Sequence, residues 1–305
     1  MTRKILLGTA LLAGPAVADD YAFDVPPLMT QVVNPADAQG RPSTQPEAPR
    51  DHLRSFELPA VTVVGEKQSD LREEDRVGSY GQPRWTATRR FPGTRVYVVP
   101  EGKLEFEYWL RPTINKDGST ETRSLYELEI GLPHRFQLDL YLRTDQEGDT
   151  GDMLLGEQIE VRYAFADWGK LPGNPTVYFE YVMLEDRPDK IEPKLLLGGE
   201  LAPRWHWGAN LVAEIELGGA RSHEYQLTGA VSYTVIDQKF SVGGETQLIL
   251  TDVAGERGNF DTEVLLGPSV QFRPLPQMTI NFAPLVGLTD DSPDAQIYLN
   301  IGWEF

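Results

Sequence analysis

Acidic and basic side chains recur at alternate positions over the last two thirds of the chain, with apolar residues between them. Glu105 and Glu107 flank an apolar residue, and so do Glu127 and Glu129. Because residues two positions apart lie on the same face of a β-strand, each pair would form a row of carboxylates. Such rows attract cations or form ion pairs with Arg and Lys. This pattern therefore indicates electrostatic interactions, either with cations or between the side chains themselves.

Catalytic chemistry has little support in the sequence. The chain has four histidines, His52, His134, His206 and His223. Neither a Gly-x-Ser-x-Gly nucleophile motif nor a His-Glu-x-x-His metal motif occurs. The Asp-rich segments 145–152 and 290–294 do not match an EF-hand loop. We therefore predict no catalytic residues, no cofactor and no metal site.

The composition narrows the class of protein further. The net charge of −18 argues against nucleic acid as a partner, because phosphate binding requires a basic surface. The chain has no Cys, so no disulfide framework supports its fold. Beyond the N-terminal residues, no apolar run has the length of a membrane-spanning helix.

The alternation predicts a series of strands that would position the charged residues. Their lengths of about 9–11 residues suit tilted strands that cross a hydrocarbon layer. The twelve predicted strands are 103–113, 123–132, 135–144, 157–167, 176–184, 194–201, 206–217, 225–236, 239–250, 260–273, 278–288 and 295–305.

The last of these strands alternates without a break up to the C-terminal residue. Its apolar positions are Ala295, Ile297, Leu299, Ile301, Trp303 and Phe305. This segment resembles the C-terminal signature strand of bacterial outer-membrane β-barrel proteins. The resemblance implies a location in the bacterial outer membrane, contact with lipid and lipopolysaccharide, and recognition of Trp303 and Phe305 by the barrel assembly machinery.

The N-terminal residues predict export. Arg3 and Lys4 precede an apolar run at 5–13, and the small residues Ala16 and Ala18 follow it. This order is typical of a secretory signal peptide. We predict a signal peptide at 1–18 with cleavage after Ala18.

A soluble β-sandwich would also alternate, so other features must distinguish it from a barrel. Short connections alternate with longer polar ones, although 168–175 is long and 218–224 is short for its place. Tryptophans 168, 205, 207 and 303 fall at strand ends on one side, as in an interfacial aromatic belt. We predict an all-β, transmembrane, antiparallel up-and-down β-barrel of about 12 strands over 102–305, with both chain ends in the periplasm.

If the apolar faces contact lipid, the opposite faces line the lumen. A barrel of this size lies between small filled barrels and wide channels. The lumen is therefore either a narrow aqueous pore that favours cations or an interior closed by ion pairs. The residues predicted to line it, among which acids outnumber bases, are Glu105, Glu107, Arg111, Glu127, Glu129, Arg135, Asp139, Arg143, Glu160, Arg162, Glu180, Lys194, Glu200, Glu214, Glu216, Lys239, Glu245, Asp261, Glu263 and Arg273.

Residues 19–101 are Pro-rich and polar, which predicts a largely disordered periplasmic extension, most clearly up to about residue 56. Within it, the run Leu58–Glu66 resembles the energy-coupling box of TonB-dependent transporters. Those transporters have a folded plug and about 22 strands, for which this chain has no room. The run, with Val61, Thr62, Val63 and Val64 at its centre, would instead add a strand to another partner or pack in the barrel mouth.

Residues 82–101 are basic and aromatic and directly precede the acidic predicted lumen. We predict that the arginines of this stretch pair with the lumen wall at or in the periplasmic mouth. The alternative is a linker that lies near the membrane interface.

These patterns leave three functions open. The leading prediction is an outer-membrane channel or facilitator for small solutes, with a narrow, acidic lumen of mixed charge. The alternative is a non-conducting structural barrel whose extension recruits a periplasmic or outer-membrane complex through 58–66. The third is a surface barrel enzyme. Because the sequence gives this option the least support, we predict that the protein is not an enzyme.

Overall fold

The computed structural model describes residues 72–148 and 153–305. Three predictions lie outside the described residues: the signal peptide at 1–18, the disorder at 19–56 and the strand-like run at 58–66. Among the residues that are described, none forms a helix long and apolar enough to cross a membrane.

Twelve long strands form one closed barrel. Before the barrel, β1 (Arg76–Val77) pairs with β2 (Gln82–Pro83), and a single 3-10 turn follows at Arg84–Thr86. The barrel strands are β3 (Leu104–Ile114), β4 (Thr120–Gly131), β5 (Phe136–Glu147), β6 (Met153–Ala164), β7 (Thr176–Leu184), β8 (Lys190–Ala202), β9 (Trp205–Glu216), β10 (His223–Ile236), β11 (Phe240–Asp252), β12 (Asp261–Leu275), β13 (Met278–Gly287) and β14 (Ala295–Glu304).

Each barrel strand pairs antiparallel with its neighbours in the chain, and β14 pairs with β3 to close the sheet. The predicted up-and-down barrel of twelve strands is therefore confirmed. Several strands begin earlier than predicted, including β4 at Thr120 and β8 at Lys190. The added residues of β4 are polar on both faces, so the alternation that marks a half-buried strand is lost although the ladder continues. The added residues of β8 include Pro193, and a proline within a run is typical of a strand end.

The two faces of the sheet are distributed as in a membrane barrel. Glu105 and Glu107 are fully buried inside, whereas Leu104 and Phe106 on the outside are 37% and 38% exposed. A soluble sandwich would bury its apolar faces between two sheets, so this inverted pattern rules it out. The apolar outer surface is the one expected to contact hydrocarbon.

The two ends of the barrel differ in their connections. We call the end where β3 begins and β14 ends the terminal end, and the opposite end the loop end. Connections at the terminal end are short except at 165–175, and those at the loop end are longer. The terminal connections are 132–135, 165–175, 203–204, 237–239 and 276–277, and the loop connections are 115–119, 148–152, 185–189, 217–222, 253–260 and 288–294.

Prolines within the strands lie where the ladder permits them. Between β12 and β13 the pairing passes from Leu266–Val286 directly to Val270–Phe282. Pro268 and Pro284 fall inside that interruption, so the missing proline N–H groups remove no ladder hydrogen bond there.

The tryptophans at the terminal end do not form a single outward belt. Trp205 and Trp303 face outward and are 43% and 41% exposed. Trp168 instead lies inward, with its ring 5.6 Å from that of Trp85 and 5.3 Å from that of Tyr97. Its position depends on a chain segment that enters the barrel.

Candidate functional site

Residues 72–100 fold back into the terminal end of the barrel, and we call them the inserted segment. Arg84 Nε donates to Gln238 Oε1 at the rim, 2.6 Å away. The chain then rises to Gly93, whose backbone N–H donates to Glu245 Oε2 at 2.7 Å. It returns to Val99, whose N–H donates to Gln137 Oε1 at 2.7 Å. The segment therefore forms a loop whose tip points along the lumen.

The apolar side chains of the inserted segment pack mainly on one another. They form a buried cluster with Ala164 and Ala230 of the wall; the cluster members from the segment are Tyr80, Trp85, Phe91, Val96, Tyr97 and Val98. Two wall glycines make room for this loop. A Cβ at Gly198 would lie 2.3 Å from Val96, and one at Gly208 would lie 3.0 Å from Thr94. Larger side chains at these two positions would collide with the segment.

Arg89 of the segment occupies a pocket of wall carboxylates. Its Nε lies 2.7 Å from Glu107 Oε2, and its Nη2 lies 3.3 Å from both Glu127 Oε2 and Glu129 Oε1. The guanidinium also lies 4.2 Å from the centre of the Trp109 ring, which is a cation–π geometry.

A second set of buried charges adjoins this pocket. Arg95 of the segment pairs with Glu129. Arg162 of the wall pairs with Glu160 and lies 3.0 Å from Asp139 Oδ2. The hydroxyl oxygen of Tyr141 lies 2.7 Å from Glu127 Oε1 and 2.6 Å from Glu160 Oε2, so Tyr141 can donate a hydrogen bond to either carboxylate. Each of these carboxylates thus has a cation or hydroxyl beside it, as burial of ions requires.

Arg90 lies on the opposite side of the segment in a mostly neutral setting. It donates to Ser232 at 3.0 Å, to Gln271 at 3.1 Å and to the ring nitrogen Nδ1 of His206 at 2.9 Å. It forms an ion pair with Glu73, 3.6 Å away. Burial raises the pKa of Glu73, and a hydrogen bond from Thr234 and the charge of Arg90 oppose that rise.

Beyond the tip of the segment, the lumen widens into a cavity of about 640 Å³, which we call the vestibule. Seven basic and nine acidic wall residues line it, together with Arg89 and Arg95 of the segment. The two segment arginines therefore balance the acidic excess of the wall. The wall residues with charge are Arg111, Lys116, Arg123, Arg143, Arg162, Lys190, Lys194, Glu121, Glu127, Glu180, Glu192, Glu214, Glu224, Glu263, Asp290 and Asp291.

Several charges of the vestibule are paired along the wall. Asp145 accepts from Arg123 at 2.8 Å and lies 2.7 Å from Nη2 of Arg143. Lys194 pairs with Glu192, and Lys190 pairs with Glu214. One side of the vestibule is less polar, because Trp109, Leu125, Ile249 and Tyr298 line it.

Most of the residues predicted to line the lumen lie around the segment or in the vestibule. Glu105, Asp139 and Glu245 are buried in the terminal half. Glu200 accepts a hydrogen bond from Trp85 Nε1 at 2.9 Å, and Arg273 donates to Glu304 at 3.1 Å.

Four predicted residues lie toward the barrel ends. Glu216 accepts from the N–H of Ser222 at the loop end, where Asp261 begins β12 and is exposed. Lys239 lies in the 237–239 turn. Arg135 lies in the 132–135 turn, where its guanidinium is 3.1 Å from Asp167 Oδ1, so these two basic residues are at the terminal rim and not on a lumen-facing strand.

Some residues of the site were not predicted. Trp109 lies between Glu107 and Arg111 on the inner face. Its position in the alternation was the available signal, because it shares the parity of its charged neighbours. Tyr141 and Glu192 share the parity of their charged neighbours in the same way.

Two sets of carboxylates are close enough to hold a metal ion. The oxygens of Glu107, Glu127 and Glu129 lie within 4.8 Å of one another, and so do those of Glu127, Asp139 and Glu160. The guanidinium groups of Arg89 and Arg162 lie against these two sets. Arginine side chains therefore compensate the negative charge of both carboxylate sets.

Comparisons with known proteins identify the fold. No protein-family model matches the sequence, and no curated protein matches it. An outer-membrane channel from Pseudomonas putida F1 aligns with a TM-score of 0.51 and 11% identity, covering 69% of this chain and 98% of that one. The KdgM porin in complex with disordered oligogalacturonate aligns at 0.48 and 10% identity (66% and 99%), and the NanC porin at 0.44 and 16% (66% and 98%). The chain has the fold of bacterial outer-membrane β-barrel proteins.

Proposed function

We propose that this protein is an outer-membrane channel for small solutes, that its own inserted segment keeps it closed, and that it opens when the segment withdraws. The proposal rests on the difference between the two halves of the lumen, one filled and one open. The inserted segment fills the terminal half, while an open vestibule of about 640 Å³ lies directly above its tip.

The terminal half is closed in the described state. Phe91 and Val98 of the segment are fully buried, and so are Glu105, Asp139 and Asn300 of the wall around them. A solute in the vestibule therefore meets the segment before it reaches the terminal end.

The segment is built in a way that permits withdrawal. Its two short strands pair with each other and not with the wall. Most of its apolar surface packs on itself, and its wall contacts are largely hydrogen bonds and ion pairs. Each such hydrogen bond contributes only about 0.5–1.5 kcal/mol net, because water that enters the lumen replaces it when the segment leaves.

Withdrawal would also set the charge of the open lumen. It removes Arg89, Arg90 and Arg95 from the lumen and leaves Glu107, Glu127 and Glu129 on the wall. An acidic wall favours cations over anions. We therefore propose a preference for cationic or neutral solutes.

The proposed orientation places the terminal end in the periplasm and the loop end at the cell surface, beside lipopolysaccharide. The inserted segment would then withdraw toward the periplasm, where the extension lies. Trp303 and Phe305 close the last strand at the same end, where we propose that the assembly machinery recognises them.

A reversible cross-link tests the proposal. The hydroxyl oxygens of Thr94 and Thr228 are 3.1 Å apart, and the chain has no Cys. In planar bilayers, the oxidised Thr94→Cys/Thr228→Cys variant should not conduct, and Gly208→Leu, which displaces the segment, should conduct. Gly229→Leu is the matched control, because Gly229 lies on the outward face of β10. If Gly208→Leu stays silent although the segment is displaced, the channel proposal is wrong.

The second candidate is the non-conducting barrel that recruits a partner. The closed terminal half favours it, because the same contacts that close a channel would also hold a docking segment in place. In that case Gly208→Leu would weaken partner binding without producing conductance.

A further inference from the structure

The pocket that holds Arg89 has the composition of a guanidinium-binding site. Three carboxylates surround the guanidinium at 2.7 to 3.3 Å, and the Trp109 ring covers one face at 4.2 Å. Carboxylates match the planar donors of a guanidinium, and an indole face attracts its charge.

The barrel wall alone builds this pocket. Glu107 and Trp109 come from β3, and Glu127 and Glu129 come from β4. Trp109 Nε1 donates to Glu127 Oε2 at 2.9 Å, and Tyr141 donates to the other oxygen of Glu127. These contacts fix the pocket, so it persists when the segment leaves.

Arg89 does not use the full capacity of the pocket. Glu107 Oε1 and Glu129 Oε2 are buried and have no hydrogen-bond partner among the described residues. Both side chains are at most 1% exposed. Buried acceptors without donors are unfavourable, and a ligand with several N–H groups would satisfy them better.

The pocket also opens toward the vestibule. Arg89, Trp109 and Glu127 all line that cavity. A solute that enters from the loop end therefore reaches the guanidinium of Arg89 without first passing the segment.

We infer that this pocket is a binding site for solutes with a guanidinium or amidinium group, and that Arg89 is a tethered substitute for such a solute. The inference rests on the proposed function in that the solute enters through the lumen. A solute that binds the pocket competes with Arg89, and it favours withdrawal of the segment by the difference in its affinity for the two states.

Chemical rescue tests the site in the full chain. Arg89→Ala empties the pocket, and ethylguanidinium should refill it and raise the thermal unfolding midpoint in detergent. Arg84→Ala is the matched control, because Arg84 is a buried arginine of the same segment that contacts Gln238 and not the pocket. Ethylammonium carries the same charge without the planar donors and should raise the midpoint less. Equal responses of the two variants, or of the two cations, would overturn the inference.

The contribution of Trp109 can be measured in the same assay. In the Arg89→Ala background, Trp109→Leu should lower the apparent affinity for ethylguanidinium about tenfold, because the cation–π contact is lost. An unchanged affinity would contradict the role assigned to the indole.

Conductance separates this inference from the channel proposal. If ethylguanidinium stabilises Arg89→Ala but Gly208→Leu does not conduct, the site stands and the channel proposal fails. If Gly208→Leu conducts but Arg89→Ala responds to neither cation, the channel proposal stands and the guanidinium site fails.

Discussion

The inward-facing charged residues are buried to different extents in the two halves of the lumen. In the terminal half, Arg162 at the floor of the vestibule is 1% exposed and lies against Asp139 and Glu160, which are fully buried. In the vestibule, Arg123 is 30% exposed and pairs with Asp145 beside open space. The same residue types are therefore buried and mutually dependent in one half and partly hydrated in the other.

This difference indicates which half carries stability and which carries access. A buried charge that loses its partner is strongly unfavourable, whereas a partly exposed charge can be hydrated instead. We therefore expect substitutions in the terminal half to act on folding and closure. Substitutions in the vestibule should change which solutes enter.

The largest expected effect is on the free energy of unfolding. Arg162→Ala leaves Asp139 and Glu160 buried without that cation and should destabilise the barrel by about 3–5 kcal/mol, or prevent its assembly. Arg123→Ala should cost less than about 1 kcal/mol, because its pair is partly exposed. Urea unfolding in detergent, followed by tryptophan fluorescence, measures both. Similar losses for the two variants would remove the distinction between the halves.

The next effect concerns closure. Phe91→Ala deletes a fully buried ring from the core of the segment and should weaken insertion by about 3 kcal/mol. Labelling of a Thr228→Cys reporter with a maleimide should then accelerate by up to about a hundredfold. Phe106→Ala, on the outer face, is the control and should leave the labelling rate unchanged. Equal rates for the two variants would show that the segment core does not hold the lumen closed.

The alternation of residues made the barrel predictable. Strands such as 135–144 carry apolar residues on one face and charges on the other, and only an inverted barrel or a sandwich accommodates that pattern. The loop end of β4 was missed at Thr120, because outside the hydrocarbon layer both faces of a strand can be polar. The loop end of β8 was missed at Lys190, because Pro193 interrupts the strand-like run. Strand pairing itself follows from chain order in an up-and-down barrel.

The site was only partly predictable, because its contacts join distant parts of the chain. Glu107, Glu127 and Glu129 were predicted to face the lumen from their parity alone. No periodicity relates Arg89 to these three residues, so the sequence alone does not predict that Arg89 occupies their pocket. Trp168 and Trp205 both lie at strand ends, and only the inserted segment explains why Trp168 turns inward.

A smaller effect should appear in ion selectivity. In the Gly208→Leu background, Arg111→Glu adds negative charge to the vestibule wall and should raise the ratio of cation to anion permeability roughly twofold. Lys170→Glu makes the same charge change in an exposed turn at the terminal end and is the control. Reversal potentials in a salt gradient give both ratios. Equal shifts would mean that net charge, and not vestibule charge, sets the selectivity.

The smallest expected effect tests whether the two halves are energetically independent. Lys116 Nζ donates to the carbonyl groups of Thr289 and Asp290, each at 2.7 Å, and so anchors the 288–294 loop at the edge of the vestibule. Lys116→Met should release that loop by about 1 kcal/mol or less, and a Ser292→Cys reporter should label up to about fivefold faster. Lys116→Arg keeps a charged donor and should label more slowly than Lys116→Met. The Thr228→Cys reporter should not respond, because no contact of Lys116 reaches the segment; if it does respond, the surface loops influence closure and the two halves act as one unit.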